Sequence, residues 1–149
     1  MTPTSTLRTA LALSTLLALP AAAQQISMGN GEKSSIQTEG MKVEGRSLTF
    51  TEVMLDEPGW LVLHPFEDGA PQGKIYVGAR YLPAGTHENV TIDVTTAPEP
   101  ETGTNFVVML HSDVDRDETF DFVFVDERNV ADKAVFEGST MIGHIVSIP

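Results

Sequence analysis

Asp113, Asp115 and Asp117 stand at alternate positions, and Asp121 follows four further on. Calcium takes roughly six to eight oxygen ligands, and a loop with acids at its first, third, fifth and ninth positions supplies several of them. The sixth position is Glu118 rather than glycine and the twelfth is Phe124 rather than a bidentate glutamate. That excludes the helix–loop–helix form and leaves a looser calcium loop. The same spacing also suits a solvated turn whose aspartates cap nearby backbone N–H groups. His87 and His111 add nitrogen donors, and with the aspartates they make a set fit for zinc or copper(II). Met109 and His111, two apart on one strand face, would suit copper(I). Each histidine alone equally suits a plain hydrogen bond at a strand end.

The elements that position these groups are strands. Phe106 to Leu110 is apolar without a break, so both faces of that strand need cover. In Phe120 to Val125 the three phenylalanines Phe120, Phe122 and Phe124 fall on one face by the period-two rule. Asn105 to Val125 therefore reads as a central hairpin with the acids at its tip. If successive strands run antiparallel, the turn at Asp56 to Gly59, the turn ending at His87 and the tip after His111 share one end. His64 is then expected at the opposite end, away from any site there.

Arg8 is the only charge before Glu32, and an apolar run from Ala10 to Leu19 leads through Pro20 to Ala21-Ala22-Ala23. This is the layout of a signal peptide spanning 1–23, too short for a membrane span of about 20 apolar residues. Export to the periplasm or the exterior is the expectation, with no transmembrane segment in the mature chain. The chain has no cysteine, so it must hold together without disulfides, and thiol catalysis and thiolate metal sites are excluded. A mature chain of roughly 125 residues can bury enough surface for that. The net charge of −12 argues against nucleic acid and anionic membranes as partners. An unidentified protein or glycan of the cell envelope is the expected partner.

Residues 24–46 are polar and glycine-dotted, and read as a flexible lead-in with a short strand near Met41 to Glu44. The domain is expected at 47–149. Leu48 and Phe50 alternate with polar neighbours, then Val53 and Leu55 take over after a one-residue slip, which suggests a bulge near Thr51-Glu52. Pro58-Gly59 suits the centre of a type II turn. Trp60 to His64 returns, with Trp60 expected in the core and its ring N–H hydrogen-bonded. Lys74 to Leu82 reads as a strand, and Glu88 to Thr96 as another with Val90, Ile92 and Val94 inward. Ala97 to Thr104 should cross between sheets. Asp126 to Lys133 is a polar loop with room for a turn of helix, followed by apolar stretches at Ala134 to Phe136 and Met141 to Ile148. Seven or eight short strands imply an all-β, antiparallel, immunoglobulin-like β-sandwich.

Three phrases stand together: Gly59-Trp60-Leu61-Val62-Leu63-His64, Leu82-Pro83-Ala84-Gly85-Thr86-His87-Glu88-Asn89-Val90, and Met109-Leu110-His111-Ser112-Asp113. Over Leu48 to Ile148 their order and spacing resemble an exported domain of unknown function shared by halophilic archaea and bacteria. The resemblance implies a small β-sandwich outside the cytoplasm and brings no catalytic residues with it. Members often carry a glycine in the tip after the aspartate, where this chain has Arg116 and further acids.

Catalysis has little footing in the residues. Ser112 follows His111 directly, and adjacent strand residues point to opposite faces. No serine sits in a Gly-x-Ser-x-Gly elbow and no glycine-rich loop opens a helix. The expectation is a non-enzymatic binding or structural module. The alternative is a metal-binding protein, using calcium at the tip or zinc or copper through His87 and His111.

Overall fold

The structure, a computed structural model, describes residues 27–121, 124–125, 128–129 and 132–149. The expected signal peptide, and Phe122 of the expected return strand, lie outside them. The strands are β1 (Ser27–Gly29), β2 (Ser35–Gln37), β3 (Lys42–Glu44), β4 (Ser47–Leu55), β5 (Gly59–Glu67), β6 (Ala70–Pro71) and β7 (Gly78–Leu82). They continue as β8 (Gly85–Asp93), β9 (Asn105–Ser112), β10 (Phe124–Val125), β11 (Arg128–Asn129), β12 (Phe136–Glu137) and β13 (Thr140–Ser147). No helix occurs among the described residues.

Two sheets carry the fold. In one, β8 runs the length of β4, while β2 and β3 share the other edge of β4. In the other, the order is β7, β5, β9, β13, with β6 also on β5 and with β1 and β12 on β13. Leu48, Phe50, Val53, Val90 and Ile92 from the first sheet meet Leu61, Leu63, Val108, Leu110 and Ile142 from the second in one buried core. In β4 burial passes from the even to the odd residues, but not through the expected bulge. Phe50 pairs with Val90 and Glu52 with Glu88, one residue intervening on each strand, so the register is kept across Thr51 and Asn89, whose φ is 51°.

Several elements differ from the sequence reading. β4 and β5 lie in different sheets, and Gly59 has no positive φ, so Pro58-Gly59 is a sheet crossing rather than a type II turn. Gly59 is glycine for another reason: a Cβ there would stand 2.2 Å from the His111 carbonyl oxygen. The central hairpin does not form. β9 is flanked by β5 and β13, which leaves it no edge for a return strand, and among the described residues of 120–125 only Phe124–Val125 is strand, paired with Arg128–Asn129. Period-two alternation identifies faces but not pairing partners, which is why the reading failed there. β7 begins at Gly78, and Ile75 ahead of it is exposed.

The expected lead-in also carries structure. Its residues supply β1, β2 and β3, and Ile36 is wholly buried. The Glu137 carboxylate accepts the backbone N–H groups of Glu32, Lys33 and Ser34 at 2.7 to 3.3 Å, pinning that segment to β12. Such charge-assisted bonds explain how a polar stretch without periodicity becomes fixed.

Gly59→Ala is expected to destabilise the protein by about 1–3 kcal/mol, because the backbone of β9 must move to admit a methyl group. Gly73, with open space around it and no positive φ, should accept alanine neutrally or with a gain of about 0.4–1 kcal/mol. Urea unfolding of the two variants side by side measures both.

Candidate functional site

The second sheet has an outer face as well as a core face. Register places Trp60, Val62 and His64 of β5 opposite His111, Met109 and Val107 of β9, all on the side away from Leu61 and Leu110. All six are buried. Their cover comes from the segment after β9. Phe120 packs against Trp60 at 5.4 Å, edge-on to His111 at 5.4 Å and edge-on to Tyr76 at 4.9 Å between ring centres. Tyr81 stands edge-on to Trp60 at 5.3 Å. The Trp60 ring N–H is buried with no hydrogen-bond partner among the described residues, contrary to the expectation from sequence.

His64 and His111 meet on this face. Their Nε2 atoms are 3.3 Å apart, and the side chains are 0% and 1% exposed. His64 Nδ1–H donates to the Ile75 carbonyl at 2.7 Å and His111 Nδ1–H to the Asp132 carbonyl at 3.2 Å. A carbonyl only accepts, so each Nδ1 bears a hydrogen, and the two Nε2 atoms face each other. Burial lowers the pKa of both rings, that of His111 to about 4, with His64 adding a smaller push in the same direction. The strand-end argument separated these residues because it counted Cα positions; β side chains lean along the strand, and here both lean inward over Val62 and Met109. His87 is elsewhere. It lies in β8 of the other sheet, and its Nε2–H donates to the Pro83 carbonyl at 2.8 Å.

Asp132, at 0% exposure, joins the histidine pair to the acidic loop. Its carboxylate accepts Val114 N–H at 3.2 Å and Asp121 N–H at 3.0 Å, while its carbonyl takes His111 Nδ1–H. Burial raises its carboxyl pKa against those two donors, and the charges of Asp113 and Asp115 raise it further. Sequence gave no signal for it, since one aspartate in a polar run looks like any solvated residue.

Carboxylate oxygens of Asp113, Asp115 and Asp117 lie within 4.8 Å of one another. Asp113 is 6% exposed. Its Oδ2 accepts Glu118 N–H at 3.3 Å, and its Oδ1 is buried with no hydrogen-bond partner among the described residues. Asp117 Oδ1 accepts Thr119 N–H at 2.7 Å. Arg116 and Glu118 hold φ of 61° and 58°, the left-handed region that costs a residue with a Cβ about 1–2 kcal/mol. Desolvation first and the Asp117 charge second raise the Asp115 pKa. Tyr81 is also raised, by desolvation and then by Glu118 and Asp113. Of the residues expected at the site, three aspartates converge; Asp121 is drawn to Asp132 through its backbone, and neither histidine joins them.

Two open grooves are present, the second bordered by Ser112 and Lys133 beside the acidic loop. One of about 450 Å³ is lined by Pro65, Phe66 and the 97–106 connection, and one of about 350 Å³ by Ser34, Asp56 and Phe136 among others. Ser112 Oγ donates to the Lys133 carbonyl at 3.3 Å. Among the described residues no helix is long and apolar enough to cross a membrane.

The family described as a domain of unknown function (DUF7282) matches residues 34–144, and the chain belongs to it. The match takes in β2 and β3, ahead of the Leu48 boundary expected from sequence. No curated protein and no solved structure matches the chain.

The histidine pair sets an acid limit on stability. With the folded pKa of His111 depressed to about 4 from an ordinary 6.5, the unfolded chain takes up a proton that the folded chain refuses. Stability is therefore full above pH ~6.5 and falls by about 1.4 kcal/mol per pH unit below it until the folded pKa is reached. His64 acts in the same sense. Urea unfolding between pH 7.5 and 5, above most carboxylate titration, should show this slope, and His111→Gln should flatten it.

Proposed function

We propose that this member of the family is an exported, non-enzymatic, immunoglobulin-like β-sandwich module that binds calcium in the loop from Asp113 to Asp121. The observation that carries the reading is the buried Oδ1 of Asp113, without a hydrogen-bond partner among the described residues, beside two converging carboxylates. A buried acceptor without a donor costs about 1–3 kcal/mol, more when charged, and a cation among the three acids would supply what it lacks. Calcium suits the arrangement because it accepts irregular sets of oxygens, whereas magnesium demands near-octahedral geometry at shorter distances.

The loop backbone supports the same ion. Counting from Asp113, the sixth residue of a calcium loop is a glycine that makes a sharp turn; Glu118 holds that position at φ 58° and gives its N–H to the first aspartate. Asp113, Asp115 and Asp117 would bind through side chains, with the Thr119 carbonyl at the seventh position. Binding rather than catalysis is favoured by the engagement of Ser112 with Lys133 and the burial of His111. The strand orders β2-β4-β8 and β7-β5-β9-β13 support an immunoglobulin-like class. Export would expose the loop to calcium at the ~10⁻⁴–10⁻³ M that extracellular modules are tuned to.

Thermal unfolding after chelation, then with added calcium or magnesium, tests the reading. At about a hundredfold over Kd, calcium should add roughly 2.7 kcal/mol, a rise in Tm on the order of 10 °C, and magnesium much less. Asp113→Asn should remove the calcium response. Absence of a shift at about 10–100 mM calcium, a hundredfold over such a Kd, or one that survives Asp113→Asn, would retire the proposal.

Arg116→Gly should have two effects in one direction. It relieves a left-handed backbone, worth about 1 kcal/mol, and removes a positive charge from the loop that would hold the ion. A higher Tm without metal and a lower calcium Kd by isothermal titration are the expected results.

A further inference from the structure

We infer that the groove of about 450 Å³ between the end of β5 and the connection into β9 docks an arginine-bearing peptide segment of a partner protein. β5 outruns its pairing with β9 here. Pro65 is the last residue so paired, opposite Phe106, and Phe66 and Glu67 continue past it. The 97–104 connection forms the other side, with Pro98 and Pro100 facing an apolar floor of Pro65, Phe66 and Phe106.

The polar chemistry of this lining is one-sided. It includes Glu67, Glu99 and Glu101, all exposed, and no lysine, arginine or histidine. Among the described residues none of these three carboxylates has a hydrogen bond or an ion pair. The Asn105 side-chain amide is engaged within the chain: its nitrogen donates to the Gly103 carbonyl at 3.2 Å and its oxygen accepts the Ser147 hydroxyl. Pro65, Pro98 and Pro100 have no N–H to give. The groove therefore offers acceptors and negative charge, and its occupant must bring donors and positive charge.

The spacing of the acids decides against a metal ion. The described carboxylates that converge are those of Asp113, Asp115 and Asp117, and the three glutamates form no such group. Carboxylates set apart along an apolar trough suit an extended ligand. Arginine fits because its aliphatic stem lies on apolar surface while the guanidinium reaches a carboxylate. Its weaker hydration and forked donors favour it over lysine. A free polyamine has the charge but no side chains for Phe66 and the prolines.

The walls are in place before a ligand arrives. The Arg46 guanidinium donates to the Val94 and Ala97 carbonyls at 3.2 and 2.6 Å, at the start of the connection. At its end Gly103 N–H donates to the Ile148 carbonyl and Ile148 N–H to the Thr104 carbonyl, each at 2.9 Å. Proline at 98 and 100 narrows the backbone between these anchors. Docking then costs little ordering on this side, and the net charge of −12 steers a cationic segment toward the chain. None of the calcium-loop acids lines the groove, so the inference stands independently of the calcium reading.

The test titrates the ¹⁵N-labelled protein, with calcium present, with the capped peptide Pro-Arg-Leu-Arg-Pro and with its citrulline counterpart. Saturable shifts confined to the backbone amides of Phe66, Glu67, Glu99 and Glu101 are expected, with a Kd on the order of 0.1 mM that rises with salt. The citrulline peptide keeps the shape without the charge and should bind at least about tenfold more weakly. Glu99→Gln combined with Glu101→Gln should weaken binding about five- to tenfold without moving Tm, since both side chains are exposed. Glu39→Gln combined with Glu88→Gln, an equal change of charge elsewhere on the surface, should leave binding unchanged, as should Asp113→Asn. Equal weakening by the distant pair, shifts scattered beyond the groove, or a citrulline peptide bound as tightly overturns the proposal. Spermidine that displaces the peptide at equal concentration assigns the groove to free amines and overturns it as well.

Discussion

The fold turns on covering β5 and β9 from both sides. Trp60 to Leu63 and Phe106 to Leu110 are continuous apolar runs at the centre of their sheet, buried on both faces. The facing sheet covers one side with Leu48, Phe50 and Ile92. The other side is covered, among the described residues, by the segment after β9, with Phe120 packed on Trp60 and His111. A loop laid over apolar surface must satisfy its own backbone polar groups without a ladder. Asp132 meets part of that need by accepting Val114 and Asp121 N–H groups, and Lys133 and Pro58 carbonyls accept Ser112 and Asp113 N–H groups. The buried carboxylate thus follows from the decision to cover a sheet with a loop.

The same constraint explains why polar side chains cluster here. Strand residues pointing to the outer face are buried under this segment, and histidines are accommodated at 64 and 111 because each ring N–H is hydrogen-bonded. Each finds a backbone carbonyl contributed by the covering segments, Ile75 ahead of β7 and Asp132 behind the acidic loop. Neither carbonyl belongs to the sheet ladder, and that is why both are available to a ring N–H.

Much of the sandwich was legible because burial imposes a period on strands. The shift of burial along β4, the inward triplet Val90, Ile92 and Val94, and the double burial of Phe106 to Leu110 all read directly. Pairing did not. Phe120 looked like the start of a partner strand for β9, yet β5 and β13 already hold both edges, and the phenylalanine serves as cover instead. The aspartates were legible as a cluster because three of them are neighbours in the chain. The histidine pair was not, since His64 and His111 are 47 residues apart and their meeting depends on which strands are adjacent and how the rings lean. Asp132 was invisible for the same reason: its role is assigned by what lies over it.

The loop concentrates unfavourable features in nine residues. Asp113 keeps an oxygen buried without a donor among the described residues, Arg116 and Glu118 hold left-handed backbones, and Asp115 is raised by desolvation and by its neighbour's charge. A loop that only had to cover Trp60 and His111 would be under no such demand; serine or glycine at those positions would relieve each feature at once. Strain of this kind persists where surrounding structure holds it and a ligand draws on it. Here Asp132 anchors both ends of the loop, so the three carboxylates stay converged instead of turning to solvent. A cation bound there, as proposed, would meet ligands already in place, with the ordering cost met by the fold, which is the physical content of a preformed site.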